Sequence, residues 1–147
     1  MIIKVSGSDV GVNTDAYASG DLLGSKLTLT GAYPDSPREP FLVSVAIQDL
    51  TAQNATIDVV IFDSDPDGTT FTNNSALDIA DADLPKIIGV VQVSDYYAFA
   101  DNSVGIASGI SIAAKPLAGA DLYACLVSRG TPTYAANELS VSFGFVD

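Results

Sequence analysis

The residues of this sequence best suited to chemistry are three aspartates at alternate positions. Asp63, Asp65 and Asp67 precede Gly68 and so match the first half of a D-x-D-x-D-G calcium-binding loop. The second half does not match, because the twelfth position is Asn74 where the motif has a bidentate glutamate. A strand-like apolar run also precedes the loop where the motif has a helix. Two interpretations stay open: a calcium site on Asp63, Asp65 and Asp67, and a solvated turn whose aspartates cap the local backbone.

Three more aspartates, Asp78, Asp81 and Asp83, follow in the same loop. Two carboxyl groups serve hydrolysis when they lie a few ångströms apart in a pocket that shifts one pKa. The spacing does not require this, and an exposed acidic loop or a helix N-cap is the better explanation. The sequence has no histidine and one cysteine, which excludes Ser-His-Asp and Cys-His catalysis and a zinc site of His or four Cys ligands. We therefore expect no enzyme, and no cofactor other than the calcium ion considered above.

The composition indicates one acidic β domain. The chain has 147 residues, of which 48% are hydrophobic and 16% charged, as expected for a single folded core. Its formal net charge is −12 and its six basic residues are scattered, so no surface for nucleic acid is predicted. No apolar run reaches about 18 residues and the N-terminus lacks the apolar segment of a signal peptide, so we expect neither a membrane span nor secretion. Cys125 stands in an apolar run and is interpreted as a buried thiol.

The pattern of apolar residues predicts short strands. Residues 57–62 are apolar on both faces, which is typical of a central strand that is covered on both sides or lies at an interface. One short helix is predicted within residues 75–84, ahead of Pro85. Further strands are predicted at residues 2–5, 26–30, 41–49, 87–93, 110–114, 122–127 and 139–145. The expected fold is all-β: a single antiparallel two-sheet β-sandwich over residues 1–147, similar to a jelly roll.

Two segments without a strand pattern are candidate contact regions. Residues 6–24 are rich in Gly, Ser, Asp and Asn and predict a loop or arm, and residues 34–40 contain three prolines and predict an exposed loop. Extended segments of this kind can lie along a partner and become ordered on contact, although ordinary solvent loops are the alternative.

Aromatic residues suggest a second kind of contact. They are Tyr96, Tyr97, Phe99, Tyr123 and Tyr134. Rigid rings of this type suit a platform for a sugar or a protein, and core packing is the alternative interpretation.

Several stretches resemble a set of small virion proteins of tailed bacteriophages. They are residues 59–66 (VVIFDSDP), 69–74 (TTFTNN), 79–84 (IADADL), 86–91 (KIIGVV), 99–104 (FADNSV) and 122–134 (LYACLVSRGTPTY). The resemblance implies a capsid decoration, or cement, protein on the outside of the phage head, made in the host cytoplasm. It implies the major capsid protein and further copies of the chain as partners, commonly in a trimer, and it implies no catalytic residues. A receptor-binding or glycan-binding module of a head or tail fibre is the alternative.

Overall fold

Nine strands make up the computed structural model, which describes residues 1–33 and 39–147. Residues 34–38, within the predicted proline-rich loop, lie outside the described residues. The strands are β1 (Ile2–Val5), β2 (Leu27–Leu29), β3 (Phe41–Asp49), β4 (Ile57–Phe62), β5 (Ile87–Val93), β6 (Tyr96–Ala98), β7 (Ser103–Ala113), β8 (Leu122–Ser128) and β9 (Leu139–Val146).

The strands form two antiparallel sheets. One has five strands in the order β1-β9-β3-β7-β6, and the other has four in the order β2-β8-β4-β5. Alternate residues of the central strands point between the sheets and are fully buried, as Val45 and Ile47 of β3 and Val59 of β4 show. The prediction of an all-β, antiparallel two-sheet sandwich is confirmed.

Helical structure is confined to short pieces in the described residues. A 3₁₀ helix (Asp81–Lys86) lies further along the chain than the helix predicted within residues 75–84. The residues before it are extended, and Ala76 forms a β-bridge with Asp21. A second piece, α1 (Gly7–Val10), was not predicted; its N-cap is Ser6, whose side chain accepts a hydrogen bond from the Asp9 N–H.

Strand β7 is longer than the sequence predicts. The pattern favoured a strand at residues 110–114, whereas β7 begins at Ser103 and pairs with β3 over most of its length. Gly105 and Gly109 interrupt the apolar alternation, so the local pattern gives no strand signal there. Pairing with β3 supplies the stabilisation that local propensity lacks.

The segment of residues 6–24 packs onto the sandwich. Val10, Tyr17, Leu22 and Leu23 are buried in it, although their spacing matches neither a strand nor a helix. Gly24 has φ +82°, and a Cβ atom there would collide with the Val10 carbonyl oxygen. Apart from α1 the segment is irregular, as predicted, but its apolar residues belong to the core.

The connection between β4 and β5, residues 63–86, is here called the acidic loop. Part of it lies over the outer face of the four-stranded sheet, where a second hydrophobic cluster forms. The buried members are Leu22, Val60, Phe62, Cys125 and Val127, with Phe71, Leu77, Ile79, Ile87 and Tyr123 packed against them. Strand β4 is therefore buried on both faces, and its outward side is covered by the chain itself.

Candidate functional site

The acidic loop is held by two lysines. Lys86 Nζ lies 2.8 Å from a carboxylate oxygen of Asp83 and 2.9 Å from one of Asp67, and it donates to the Asp65 carbonyl oxygen at 2.7 Å. Lys26 Nζ lies 2.6 Å from the Asp65 carboxylate. Two ammonium groups thus bind three carboxylate oxygens and one carbonyl oxygen. Lys86 connects the start of the acidic loop to its end, and Lys26 connects it to the residue before β2.

These pairs bear directly on the predicted calcium site. Of its three carboxylates, Asp65 is paired with Lys26 and Asp67 with Lys86, while Asp63 accepts a hydrogen bond of 2.9 Å from the Ser64 hydroxyl. Among residues 1–33 and 39–147, no three or more His, Cys, Asp or Glu side chains are grouped so that they could hold a metal ion. A calcium site on Asp63, Asp65 and Asp67 stays a prediction, and binding would require both lysines to release their carboxylates.

The Asp83 carboxylate is the most constrained acid of the loop. It is fully buried, and its second oxygen accepts a hydrogen bond of 2.6 Å from the Thr69 hydroxyl, which in turn accepts one from the Ala80 N–H. The hydrogen bond with Lys86 and then that with Thr69 lower the pKa of Asp83, and the Asp83 and Asp67 carboxylates raise the pKa of Lys86. A general acid needs a raised carboxyl pKa, so this arrangement serves to fix the loop.

The other two aspartates considered for hydrolysis are exposed. Asp78 lies in the extended part of the acidic loop, and Asp81 begins the 3₁₀ helix. Neither is enclosed with a second carboxylate in the way that glycoside hydrolysis requires. The interpretation as an exposed acidic loop fits both residues.

The predicted aromatic platform is divided between core and surface. Tyr134 is buried and Tyr96 is largely so, its hydroxyl donating to the Ala55 carbonyl oxygen at 2.7 Å, and burial raises the pKa of both phenols. Tyr123 belongs to the second hydrophobic cluster. Tyr97 and Phe99 remain on the surface, 61% and 66% exposed. Of the five predicted rings, only Tyr97 and Phe99, in and next to β6, are exposed enough to form a platform.

Cys125 is buried, as predicted. It lies on the outward side of β8 beneath the acidic loop, and burial raises the pKa of its thiol to about 12. A thiol with this pKa is protonated at neutral pH and is a poor nucleophile.

The outer face of the five-stranded sheet forms a second candidate site. Its residues are the outward-pointing members of β1, β9, β3, β7 and β6, and none of them is Asp or Glu; we call it the acid-free face. It includes Ile2, Lys4, Ser44, Ala46, Gln48, Tyr97, Val104, Ile106, Ser108, Ser140, Ser142 and Gly144, with Phe41 and Val146 at one end. Neither hydrophobic cluster of the described residues includes any of these side chains, which are half-buried or exposed.

The polar groups of the acid-free face bond to one another. Gln48 of β3 donates from Nε2 to the Ser142 hydroxyl at 3.2 Å and accepts at Oε1 from the Ser140 hydroxyl at 2.9 Å. These cross-strand bonds hold the longest polar side chain of the sheet centre against its neighbours. A partner that covers the face would therefore displace water without leaving the Gln48 amide unpaired.

The sequence contains a signal for this face that strand prediction does not use. Central outward positions of β3 and β9 are Ser, Ala, Gln and Gly, with Phe41 and Val146 at one end, whereas outward positions of β4 and β8 include Val, Phe and Cys. Small residues mark the face that no loop of the described residues covers, and large apolar residues mark the face that the acidic loop covers.

Comparison of the chain with protein-family models, with curated proteins and with solved structures finds no match. In the part of the chain that the structure describes, none of the helices is long and apolar enough to cross a membrane.

Proposed function

We propose that this chain is a capsid decoration protein of a tailed bacteriophage, which binds the outer surface of the head and stabilises the shell through protein–protein contacts. The resemblance of residues 57–134 to small phage virion proteins motivates the proposal. One structural observation carries it: in a chain of net charge −12, the outward strand residues of one broad sheet face include no carboxylate, and the exposed Asp95 lies at its edge beside Tyr97 and Ile106.

The acid-free face suits contact with a protein surface. Its apolar members, such as Ile106 at 41% exposure, release water when they are covered, and its central polar groups already satisfy one another. Tyr97 adds a large ring at one edge of the face. Binding of this kind needs neither a pocket nor a reactive group.

The size of the face argues for several copies acting together. Five strands about 4.8 Å apart, with one to four outward residues each, make a surface of at most roughly 20 Å by 20 Å, or about 400 Å². A stable interface buries about 800 Å² on each partner, so one face alone binds weakly. A homo-oligomer, commonly a trimer in the proteins that this chain resembles, supplies further contacts and joins neighbouring copies of the major capsid protein.

The distribution of charge fits a position on the outside of a virion. The acidic loop carries its aspartates on the opposite sheet from the acid-free face. With the acid-free face against the shell, these carboxylates point outward, and their mutual repulsion keeps particles apart in solution. The protein is then made in the host cytoplasm and is found on the virion.

The capsid contact does not lie on the two segments that the sequence suggested for it in this proposal. Residues 6–24 contribute buried side chains to the core, so a deletion there would disturb folding as well as any contact. Residues 34–38 lie outside the described residues. We therefore place the capsid contact on the acid-free face.

Binding to heads that lack the protein tests this proposal. Heads of the phage whose genome encodes the chain, assembled without it, are mixed with the pure protein and sedimented. We expect saturable binding in multiples of three copies per hexamer or per local threefold axis, and heads that resist heating better. A protein that stays in the supernatant at saturating concentrations would contradict the proposal.

A receptor-binding or glycan-binding module is the second candidate. The exposed rings of Tyr97 and Phe99 at the β6–β7 turn favour it, since sugars stack on accessible aromatic rings. A glycan array separates the two functions: signal that is lost in Tyr97→Ala and Phe99→Ala variants supports the module, and a blank array with binding to heads supports decoration.

A further inference from the structure

Lys4 differs from the other basic residues that the structure describes. Each of the others lies 2.6–3.6 Å from a carboxylate oxygen: Lys26, Lys86, Lys115 and Arg129. Lys4 forms no ion pair within the described residues, although the chain has 18 acidic residues and only 6 basic ones. Asp9, the acid nearest to it in sequence, bonds instead to Ser6. Lys4 therefore keeps an ammonium group that can bind a carboxylate of another molecule.

The sheet places Lys4 on the acid-free face. Lys4 is exposed, lies on the edge strand β1 and is the charged residue of that face. Its Cα partner in β9 is Ser142, which also points outward. Side chains directly opposite each other in an antiparallel pair have Cβ atoms about 4.5–5.5 Å apart. The ammonium group and the Ser142 hydroxyl can therefore reach the same acceptor.

The Ser142 hydroxyl has a proton to donate. It accepts a hydrogen bond of 3.2 Å from Gln48 Nε2, and no described residue accepts a bond from it. A hydroxyl can donate one bond in addition to those that it accepts. Lys4 and Ser142 line one hollow of about 450 Å³, together with Gln48 and Ser140 among others, and no Asp or Glu lines it. The hollow thus offers two donors to an oxygen acceptor.

We propose that Lys4 and Ser142 bind a carboxylate of the surface on which the acid-free face docks, an Asp or Glu side chain of the shell protein. This inference rests on the proposed function, since it names one contact of the same face. The carboxylate accepts hydrogen bonds from the Lys4 ammonium group and from the Ser142 hydroxyl. Bonds of this kind, in which one partner is charged, are shorter and stronger than bonds between neutral groups.

The net charge of the chain favours a protein as the source of this carboxylate. Nucleic acids and anionic membranes present negative charge over their whole surface, and a chain of net charge −12 is repelled by both. A folded protein can place one acid against Lys4 and neutral or basic groups against the rest of the acid-free face. The contact therefore requires a partner whose acid is local.

The contact at Lys4 also sets the orientation in which the face docks. Strands β1 and β6 are the two edges of the five-stranded sheet, four strand spacings or about 19 Å apart. The exposed Asp95 lies beside Tyr97 at the β6 edge. A carboxylate of the shell is attracted at the β1 edge and repelled at the β6 edge, so one orientation is favoured over the reverse.

Charge variants of Lys4 test this contact by co-sedimentation with heads that lack the protein. Lys4→Glu brings like charges together and should weaken binding by at least about tenfold, whereas Lys4→Arg should bind within about twofold of the unsubstituted protein. Lys4→Gln should weaken binding by about threefold or more and leave an affinity that depends less on salt, because the charged contact is gone. The Tm of each variant shows that it folds.

Lys115→Glu is the matched control. It changes the net charge as much as Lys4→Glu does, at an exposed lysine that follows β7 and is not part of the acid-free face. We expect it to bind like the unsubstituted protein. Unsubstituted protein that does not bind heads would contradict the proposed function and this contact with it. If the unsubstituted protein binds and the two glutamate variants bind equally well, the Lys4 contact alone is overturned and the proposed function stands.

Discussion

The two outer faces of this sandwich differ: the acidic loop covers part of one, and the other lies at the surface. On the four-stranded sheet, Val60 and Phe62 point outward and are buried beneath the acidic loop. On the five-stranded sheet, Ser44 and Ala46 point outward and stay at the surface. The outward residues explain the difference: large apolar side chains are covered by a loop, whereas small side chains stay at the surface of the sheet.

Charged residues also have different roles on the two faces. Lys26 and Lys86 pair with carboxylates of the acidic loop and hold it in place over the second hydrophobic cluster. The acid-free face has Lys4 as its charged residue and depends on hydrogen bonds among Gln48, Ser140 and Ser142. Ion pairs therefore hold the acidic loop on one face, and in the proposed function the lack of carboxylates on the other face allows contact with the shell.

The largest expected effect on stability comes from removing a large buried side chain beneath the acidic loop. Phe62 is fully buried, so Phe62→Ala should lower the free energy of unfolding by about 3–5 kcal/mol. Ile106→Ala, on the acid-free face, should change it by less than about 1 kcal/mol. Urea denaturation measures both. Similar losses for the two variants would show that the acid-free face is also part of the folding core.

A smaller effect is expected from the pairs that pin the acidic loop. The pKa of Asp83 is lowered in the folded protein, so its contribution to stability is present above its ordinary pKa of 3.8 and is lost as pH falls through the folded value. The pKa of Lys86 is raised, so its contribution is lost as pH rises beyond its ordinary 10.5. Stability should therefore hold between these limits and decline outside them.

Lys86→Met is the variant that checks this pH dependence. It leaves the buried Asp83 without its cation, so the Tm at pH 7 should fall and the decline of Tm below pH 4 should become shallower. Lys115→Met is the control, because Lys115 forms an exposed pair with Glu39 at 3.6 Å. An acid decline that is the same in Lys86→Met and in the unsubstituted protein would contradict the role given to Asp83.

The smallest effect concerns calcium. Ions that bind Asp63, Asp65 and Asp67 must compete with Lys26 and Lys86, so the predicted site should give only a slight rise of Tm with added calcium, reversed by EDTA. Asp63→Asn should abolish the rise, since it removes a ligand that is not paired with a lysine. An unchanged Tm in calcium would remove the site, and the acidic loop would then be fixed by its lysines alone.

Sequence patterns could predict the sandwich because its central strands alternate strictly. In β9, Leu139, Val141 and Phe143 point inward while Ser140 and Ser142 point outward, and a period of two residues is a signal that needs no tertiary information. Strand β4 has apolar residues on both of its faces, and this pattern predicted that both faces are buried or lie at an interface.

The position of the acidic loop over the outer face of the four-stranded sheet could not be predicted. Phe71, Leu77 and Ile79 of the acidic loop follow no regular period, because an irregular chain places each of them individually over the sheet. The same holds for Val10, Tyr17 and Leu22 in residues 6–24. The D-x-D-x-D-G pattern indicated a cation, but the structure pairs two of its aspartates with lysines that are distant in sequence, a long-range contact that a local motif does not contain.

Binding of face variants to phage heads tests the central claim most directly. Ile106→Glu introduces a carboxylate at an exposed position of the acid-free face, and Thr28→Glu introduces one at an exposed position of β2 on the other sheet. We expect Ile106→Glu to keep the Tm but lose head binding in co-sedimentation, and Thr28→Glu to bind like the unsubstituted protein. Undiminished binding by Ile106→Glu would contradict the account.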